Sequence, residues 1–170
     1  MQLEEAVLDQ ETLTRRWHEL AGDPNSPDYY EVNEFGEVIM SPRPTNDHQR
    51  VVTAVTTALN QQLGPEAVQE VSIITDRGIR VPDVVWMNPE RWLDAKGKTP
   101  LPFVPDVCVE VLSPGNTKEE VTMKANAYLR GGAREVIIVS LRGEVDYLGS
   151  EGKRTASALG IRVSFPSALF

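Results

Sequence analysis

Glu110 is a carboxylate within an otherwise apolar segment. Residues 107–112 read Val-Cys-Val-Glu-Val-Leu, and a nearly continuous apolar run is typical of a central strand that is covered on both faces. An ionised carboxylate removed from water is costly unless a cation or hydrogen-bond donors compensate it. Glu110 therefore either has a partner, in a salt bridge or a functional site, or lies exposed at the end of its strand.

Asp83 is a second acid among aliphatic side chains. Residues 79–87 alternate with a period of two, and this alternation places Asp83 on the same strand face as Val81 and Val85. The simpler alternative is an exposed acid at a bulge that follows Pro82. The two acids together raise the prospect of a shared site on neighbouring strands.

Lys124 is a cation on the apolar stripe of a predicted helix. At about 100° per residue, it falls on the same face as Val121 and Tyr128. A lysine in such a place often extends its amine to solvent. The link over residues 113–116 is short, however, so the helix can fold back and bring Lys124 over the strand that holds Glu110.

Asp83, Glu110 and Lys124 together predict the hydrolysis of a phosphodiester. Two carboxylates on neighbouring strands suit Mg²⁺ or Mn²⁺, which take oxygen ligands and retain water beside a substrate phosphate. A nearby lysine would orient the attacking water and offset the charge that develops at phosphorus. Two histidines and one cysteine give little support to a zinc site. The sequence also has no phosphate-binding glycine loop, dinucleotide fingerprint or Ser–His–Asp order.

The composition predicts one globular domain that carries a net negative charge. Of the 170 residues, 41% are hydrophobic and 25% are charged, with 17 Lys and Arg against 25 Asp and Glu. Residues 1–50 hold 4 of the basic and 11 of the acidic residues, so the acidity belongs mainly to the N-terminal third. A basic footprint over the whole domain is absent, which argues against tight, sequence-independent DNA binding. We expect a cytosolic protein with no membrane association, because signal-peptide features and a long apolar run are both lacking.

The periodicity predicts a mixed sheet flanked by helices within a single domain over residues 1–170, of which 1–28 form an N-terminal helical extension. Three helices are expected. The first lies within the first ~20 residues, the second runs from a cap at Thr45 or Asn46 to Leu63, and the third runs from a cap at Thr117 to Gly131. Strands are expected over 29–32, 37–40, 68–75, 79–87, 106–112, 135–140 and 145–148, with an additional edge strand over 161–165. Residues 88–103 are interpreted as a loop. A helical crossover makes 106–112 and 135–140 parallel.

Several motifs resemble one family when they are taken together. They are VPDVV at 81–85, PDVCVEVLSP at 105–114, Lys124, Tyr128 and GAREV at 132–136, with GEVIMSP at 36–42, His48 and the closing Phe165-Pro166. Their combined spacing resembles the Uma-type restriction endonucleases, small bacterial proteins of the PD-(D/E)xK nuclease superfamily. The resemblance extends from about residue 30 to the C-terminus.

The resemblance implies a restriction-endonuclease-like α/β core and an endonuclease that hydrolyses DNA with the help of Mg²⁺ or Mn²⁺. Carried over to this chain, it implies Asp83 and Glu110 as metal ligands, with the main-chain carbonyl of Val111 as a further ligand. The lysine of the superfamily stands two residues after the glutamate, where this chain has Leu112. In the Uma-type pattern that lysine is on the following helix, which is where Lys124 stands.

Glu37, His48 and Tyr128 are secondary candidates for the site. Glu37 is either a third acid near the metal or an exposed hairpin residue. His48 lies on the apolar stripe of its helix, and we interpret it as a partly buried, hydrogen-bonded histidine in preference to a catalytic base. Tyr128 belongs to the family motif and shares the helix face of Lys124.

A second function class stays open, namely a nuclease-fold module that binds nucleic acid or a protein partner without cutting, or that needs another subunit. The near-neutral charge of residues 51–170 motivates it.

We also expect a homodimer, because two copies related by a two-fold axis could cut both strands of a duplex. The apolar side chains that could form its interface, unless they pack onto the protein's own core, are Leu13, Trp17, Leu20, Phe165, Leu169 and Phe170.

Overall fold

The computed structural model describes residues 5–166, 169 and 170, and within them it contains four helices and ten strands. The helices are α1 (Gln10–Ala21), α2 (Asn46–Leu63), α3 (Pro89–Ala95) and α4 (Lys118–Arg130). The strands are β1 (Tyr30–Val32), β2 (Val38–Met40), β3 (Ala67–Gln69), β4 (Ile73–Thr75), β5 (Gly78–Arg80), β6 (Val84–Trp86), β7 (Val107–Val111), β8 (Glu135–Val139), β9 (Val145–Gly149) and β10 (Gly152–Arg154).

The strands form two sheets where one was predicted. The smaller sheet has the order β2-β1-β5-β4 and is antiparallel throughout. The larger sheet has the order β10-β9-β8-β7-β6-β3 and is mixed, because β7 and β8 are parallel while the other neighbours are antiparallel. Helix α4 forms the crossover between β7 and β8. The predicted mixed α/β fold with flanking helices is therefore confirmed.

Two of the predicted strands are each divided between the two sheets, so the prediction of single strands over 68–75 and 79–87 was wrong. The first gives β3 in the larger sheet and β4 in the smaller one, and the chain turns at Glu70, whose φ is 55°. The second gives β5 and β6, and the break falls at Pro82, which has no amide hydrogen for a sheet ladder. Both segments carry apolar residues on each side of the break, so the sequence pattern did not show where the strand would be divided.

Residues 88–103 and 161–165 also differ from expectation. The first segment, interpreted as a loop, contains α3, with Pro89 in its first turn and the side chain of Asn88 accepting a hydrogen bond from Glu90 N. The second segment forms no strand, and its apolar side chains pack against the core from an irregular conformation. The edge of the larger sheet is β10 instead.

Apolar clusters on both faces of the larger sheet bury its central strand. One cluster joins α2 to the sheet and contains Leu59 and Val109, while the other lies beneath α4 and contains Cys108 and Tyr128. All five residues of β7 are buried, and successive side chains face alternate clusters. Glu110 consequently points to the face of Cys108, towards α4.

Most of the side chains considered for a dimer interface pack inside the protein. Leu13 and Leu20 are buried in a cluster between α1 and the smaller sheet, and Trp17 packs against them. Phe165 and Leu169 pack against the cluster that contains Leu59. Phe170 is 51% exposed. No described helix has the length and apolar character needed to cross a membrane.

Candidate active site

A cavity of about 680 Å³ brings together side chains from both sheets and three helices. Asp83 reaches it from the link between β5 and β6, Glu110 from β7 and Lys124 from α4. Glu31 of β1 and His48 of α2 also line it. The three residues that the sequence analysis selected for their unusual surroundings therefore share one cavity in the structure.

Lys124 lies between two carboxylates. Its Nζ atom is 3.0 Å from Glu110 Oε1 and 3.2 Å from Glu31 Oε2. Burial lowers the pKa of Lys124, but the two carboxylates outweigh burial and hold the pKa above its usual range. The side chain is only 11% exposed, so the alternative in which its amine extends to solvent does not apply.

Glu110 is a buried carboxyl that titrates near neutral pH. Burial raises its pKa to about 7, the charge of Lys124 limits the rise, and the nearby Asp83 and Glu31 add to it. The hydroxyl of Tyr128, itself fully buried, donates a hydrogen bond to Glu110 Oε1 at 2.6 Å. This hydrogen bond from Tyr128 orients the carboxyl of Glu110. The salt bridge that the sequence predicted for Glu110 is the one with Lys124.

Asp83 is held by the main chain of the neighbouring strand. The amide of Val111 donates to Asp83 Oδ2 at 2.7 Å, and the amide of Asp83 donates to the carbonyl of Val109 at 2.9 Å. The side chain of Asp83 is 23% exposed and faces the cavity. These bonds fix Asp83 beside Glu110 because Val111 is the next residue of the same strand.

His48 connects Asp83 to the main chain of β7. Its Nε2 atom donates to the carbonyl of Val111 at 3.0 Å and lies 3.5 Å from Asp83 Oδ2, while Nδ1 contacts Gln49 Oε1 at 2.9 Å. The hydrogen bond with Asp83 raises the pKa of His48 to about 9, although burial opposes this. Both ring nitrogens of His48 therefore have hydrogen-bond partners, as expected for a partly buried, hydrogen-bonded histidine.

Glu31 is a residue of the cavity that the sequence analysis missed. Its Oε2 atom accepts a hydrogen bond from the amide of Val81 at 2.6 Å and also contacts Lys124. Its Oε1 atom is 3.4 Å from the buried guanidinium of Arg80. The available signal was an acid between Tyr30 and Val32 in a strand-like segment. That signal was weak because the strand has only three residues.

Glu37, considered as a third acid near the metal, lies outside the cavity. It is exposed in the turn between β1 and β2, where its Oε1 atom accepts a hydrogen bond from Asn33 Nδ2 at 3.1 Å. The structure therefore places Glu37 in the alternative position, as an exposed hairpin residue. The third carboxylate of the cavity's charged centre is Glu31.

The donor atoms of the cavity fit a hard divalent cation that keeps part of its water. Among the described residues, the contacts of Asp83 all use its Oδ2 atom and those of Glu110 all use its Oε1 atom. The other carboxylate oxygen of each residue can therefore bind a cation. The carbonyl of Val111 has a second lone pair beside the hydrogen bond from His48. Within the described residues, no three His, Cys, Asp or Glu side chains are arranged to hold a metal. Mg²⁺ and Mn²⁺ suit such a set, because they are often held by one or two carboxylates, water and substrate oxygens.

Comparisons with known proteins agree with this fold. Residues 13–148 match the sequence model of the Uma2 family, described as "Putative restriction endonuclease". A solved structure from Anabaena variabilis ATCC 29413, titled "a putative nuclease belonging to DUF820", superposes with a TM-score of 0.67 at 19% identity over 88% of each chain. At that level of identity the likeness concerns the fold. No curated protein matches the chain.

Proposed function

Because the chain belongs to the Uma2 family of nucleases, we propose that it is an endonuclease that hydrolyses DNA phosphodiester bonds with a divalent metal. One observation carries the proposal: Asp83, Glu110 and Lys124 come from three different elements and line one cavity. Each is also a charged residue in a strand segment or on a helix face that is otherwise apolar in sequence, where an uncompensated charge is costly. The nuclease-like solved structure supports the same fold.

Asp83, Glu110 and the carbonyl of Val111 would hold Mg²⁺ or Mn²⁺. When bound, the cation would act as a Lewis acid that offsets negative charge on the phosphate and favours an ionised water. The protein orients the donors in advance, because the amide of Val111 fixes Asp83 and the hydroxyl of Tyr128 fixes Glu110. His48, in turn, holds the carbonyl of Val111.

Lys124 would orient the attacking water and stabilise the charge that develops on the phosphate oxygens. Its pKa is held above the usual range, so the amine remains protonated and acts through its charge and hydrogen bonds rather than as a base. The interaction is strengthened by burial, because charges interact more strongly away from bulk water. Glu31 is a positioning residue, since its Oε2 atom lies 3.2 Å from the amine, which also contacts the predicted metal ligand Glu110.

Plasmid nicking with Mn²⁺ tests the proposal. The unmodified protein should convert supercoiled plasmid to the open circle, and Lys124→Ala should lose at least about 100-fold in rate, the usual scale for a group that stabilises transition-state charge. Lys153→Ala is the matched control, because Lys153 pairs with Asp146 at an exposed strand edge away from the cavity. Absence of cleavage together with salt-sensitive DNA binding would instead favour the non-cleaving module.

A crystal structure soaked with Mn²⁺ tests the metal site directly. Anomalous density between Asp83 and Glu110 is expected, with oxygen distances typical of a hard cation. Density elsewhere, or none at saturating Mn²⁺, would contradict the proposed ligands.

Three further parts of the proposal concern the whole protein: residues 1–170 form one domain, the protein is cytosolic, and it acts on DNA as a homodimer. For the dimer, the packing of Leu13, Leu20 and Phe165 within the protein removes much of the interface that the sequence indicated. Phe170, at 51% exposure, is what remains of it at the C-terminus.

A further inference from the structure

The cavity has an aromatic wall that the proposed hydrolysis does not use. Trp17, Tyr29 and Tyr30 line it together with Met40, and all three rings are half-buried. The rings of Trp17 and Tyr30 are 5.2 Å apart and inclined by 43°. Met40 lies opposite Tyr30 in the β1–β2 pair and is 73% exposed.

The charges of the cavity do not suit the backbone of a DNA duplex. Among the described residues that line it, Lys124 is the only lysine or arginine, and it is occupied by two carboxylates. The acidic side chains that line the cavity are Asp28, Glu31, Glu70, Asp83, Glu110 and Glu120. Duplex binding relies on several Lys or Arg contacts to phosphates, so recognition here must come from something other than a row of cations.

The aromatic rings of the cavity can bind DNA only where its bases are free to stack on them. Bases within a duplex are stacked on one another, whereas unpaired bases stack on exposed tyrosine and tryptophan rings regardless of sequence. The cavity volume, about 680 Å³, falls in the range of ~300–1,000 Å³ that encloses small ligands, which is the scale of one or two nucleotides.

We propose that the cavity takes an unpaired stretch of DNA, with bases stacked on Tyr29, Tyr30 and Trp17 and one phosphodiester at Asp83 and Glu110. The inference rests on the proposed function and deepens it by naming the substrate class, namely single-stranded DNA or the unpaired part of a gapped or frayed duplex. A single site is sufficient for such a substrate, so the inference does not require a dimer.

Binding of labelled oligonucleotides tests the inference without relying on cleavage. Fluorescence anisotropy in Ca²⁺, with integrity of the DNA checked on a gel, compares a single-stranded octamer with a hairpin duplex of the same sequence. The single strand should bind at least about tenfold more tightly than the duplex, the lower range of what stacked bases contribute.

Paired substitutions separate stacking from general packing. Tyr29→Leu and Tyr30→Leu remove a ring but keep apolar bulk, and each should weaken single-strand binding about tenfold. Tyr29→Phe and Tyr30→Phe keep the ring and should stay within about twofold of the unmodified protein. Tyr29 is outside the apolar cluster that contains Tyr30, so its variants remain informative if a Tyr30 variant misfolds. Trp92→Phe is a control, because Trp92 does not line the cavity.

The outcomes distinguish this inference from the proposed function. Equal or tighter binding of the duplex, or equal losses in the leucine and phenylalanine variants, would overturn the inference. Cleavage of intact duplex as fast as single-stranded DNA would also overturn it, while the proposed hydrolysis would stand. Ring-dependent binding of the single strand without cleavage in Mg²⁺ or Mn²⁺ would support the inference and contradict the proposed function.

Discussion

Lys124 Nζ lies 3.0 Å from Glu110 Oε1, although Lys124 belongs to α4 and Glu110 to β7. The position two residues after Glu110, where the superfamily pattern has its lysine, is Leu112 in this chain. The helix nevertheless brings an ammonium group to the carboxylate, because α4 crosses back over β7 on the way to the parallel strand β8. In the proposed site, the crossover helix therefore supplies the cation.

Asp83→Asn combined with Glu110→Gln is expected to abolish specific Mn²⁺ binding. Each amide keeps the shape of the side chain but removes the negative charge, so affinity should fall by at least about 100-fold, more than is usual for groups that only support a ligand. Isothermal titration calorimetry measures this affinity for Mn²⁺. Asp146→Asn is the control, because Asp146 pairs with Lys153 on the surface; equal affinity for the double variant and the unmodified protein would remove these residues as ligands.

The Mn²⁺ affinity should rise as the pH rises through about 7. Burial raises the pKa of Glu110 to about 7, and a carboxyl must lose its proton to bind a metal. Below that pH, affinity is therefore expected to fall about tenfold per pH unit, with about one proton released on binding. Calorimetry in buffers of different ionisation enthalpy counts this proton, and an affinity that stays constant from about pH 5.5 to 8 would contradict the assignment.

Three of the four described helices, α1, α2 and α4, were predictable because their signals are local. The side chains of Thr45 and Thr117 accept hydrogen bonds from the amides of His48 and Glu120, as the cap patterns indicated. Lys124 could be placed on the inner face for the same reason, since helical periodicity depends only on neighbouring residues. The parallel pairing of β7 and β8 followed from the intervening helix.

The division of the strands and the role of Glu31 were not predictable, because both depend on partners distant in the chain. The apolar residues of segment 79–87 fit one strand as well as two, and only pairing shows that β5 and β6 belong to different sheets. Glu31 reaches Lys124 only because the smaller sheet meets the larger one at the cavity. Asp83 lies in the link between the sheets, so its place near Glu110 was anticipated from a strand that does not exist as predicted.

Glu31→Gln should lower the turnover rate while leaving substrate and metal affinity nearly unchanged. The variant keeps a hydrogen-bond acceptor for Val81 N but removes one of the two charges that hold Lys124. We expect a loss of about tenfold in kcat with KM within about twofold, as for an interaction made mainly in the transition state. Glu31→Asp should recover part of the rate, and Glu34→Gln, which affects a salt bridge with Arg77 outside the cavity, should have no effect. An equal rise in KM, or no recovery with aspartate, would contradict a positioning role.

Light scattering is expected to give twice the chain mass of 18.9 kDa at high protein concentration. A closed two-fold dimer is the commonest form of soluble homo-oligomer and would carry two copies of the proposed site. Phe170→Asp should favour the monomer, because Phe170 remains half-exposed, whereas Leu93→Asp serves as a control at another exposed apolar residue, on α3. A monomer mass over a wide concentration range would remove the dimer.

Lys124→Met should destabilise the metal-free protein, and the loss should grow with pH. Removing one partner of a buried ion pair leaves a carboxylate without compensation, which costs about 3 kcal/mol once that carboxyl is ionised. Lys124 limits the rise in the pKa of Glu110, so this pKa should exceed 7 in the variant. A carboxyl whose pKa is raised on folding favours the folded state below its unfolded value, and that contribution is lost as the pH rises through the folded pKa.

The unmodified protein and Lys124→Met should therefore both lose stability between about pH 4.5 and 7. Above about pH 7, the loss that Glu110 causes should level off in the unmodified protein and continue in Lys124→Met. Saturating Mg²⁺ should restore part of the difference, because a ligand of the folded state stabilises it by mass action. Urea denaturation at several pH values, with Lys153→Met as the exposed control, measures these effects. If Lys124→Met and the unmodified protein showed the same pH dependence and the same response to Mg²⁺, the charge of Lys124 would not be coupled to Glu110, and the proposed site would lose its cation.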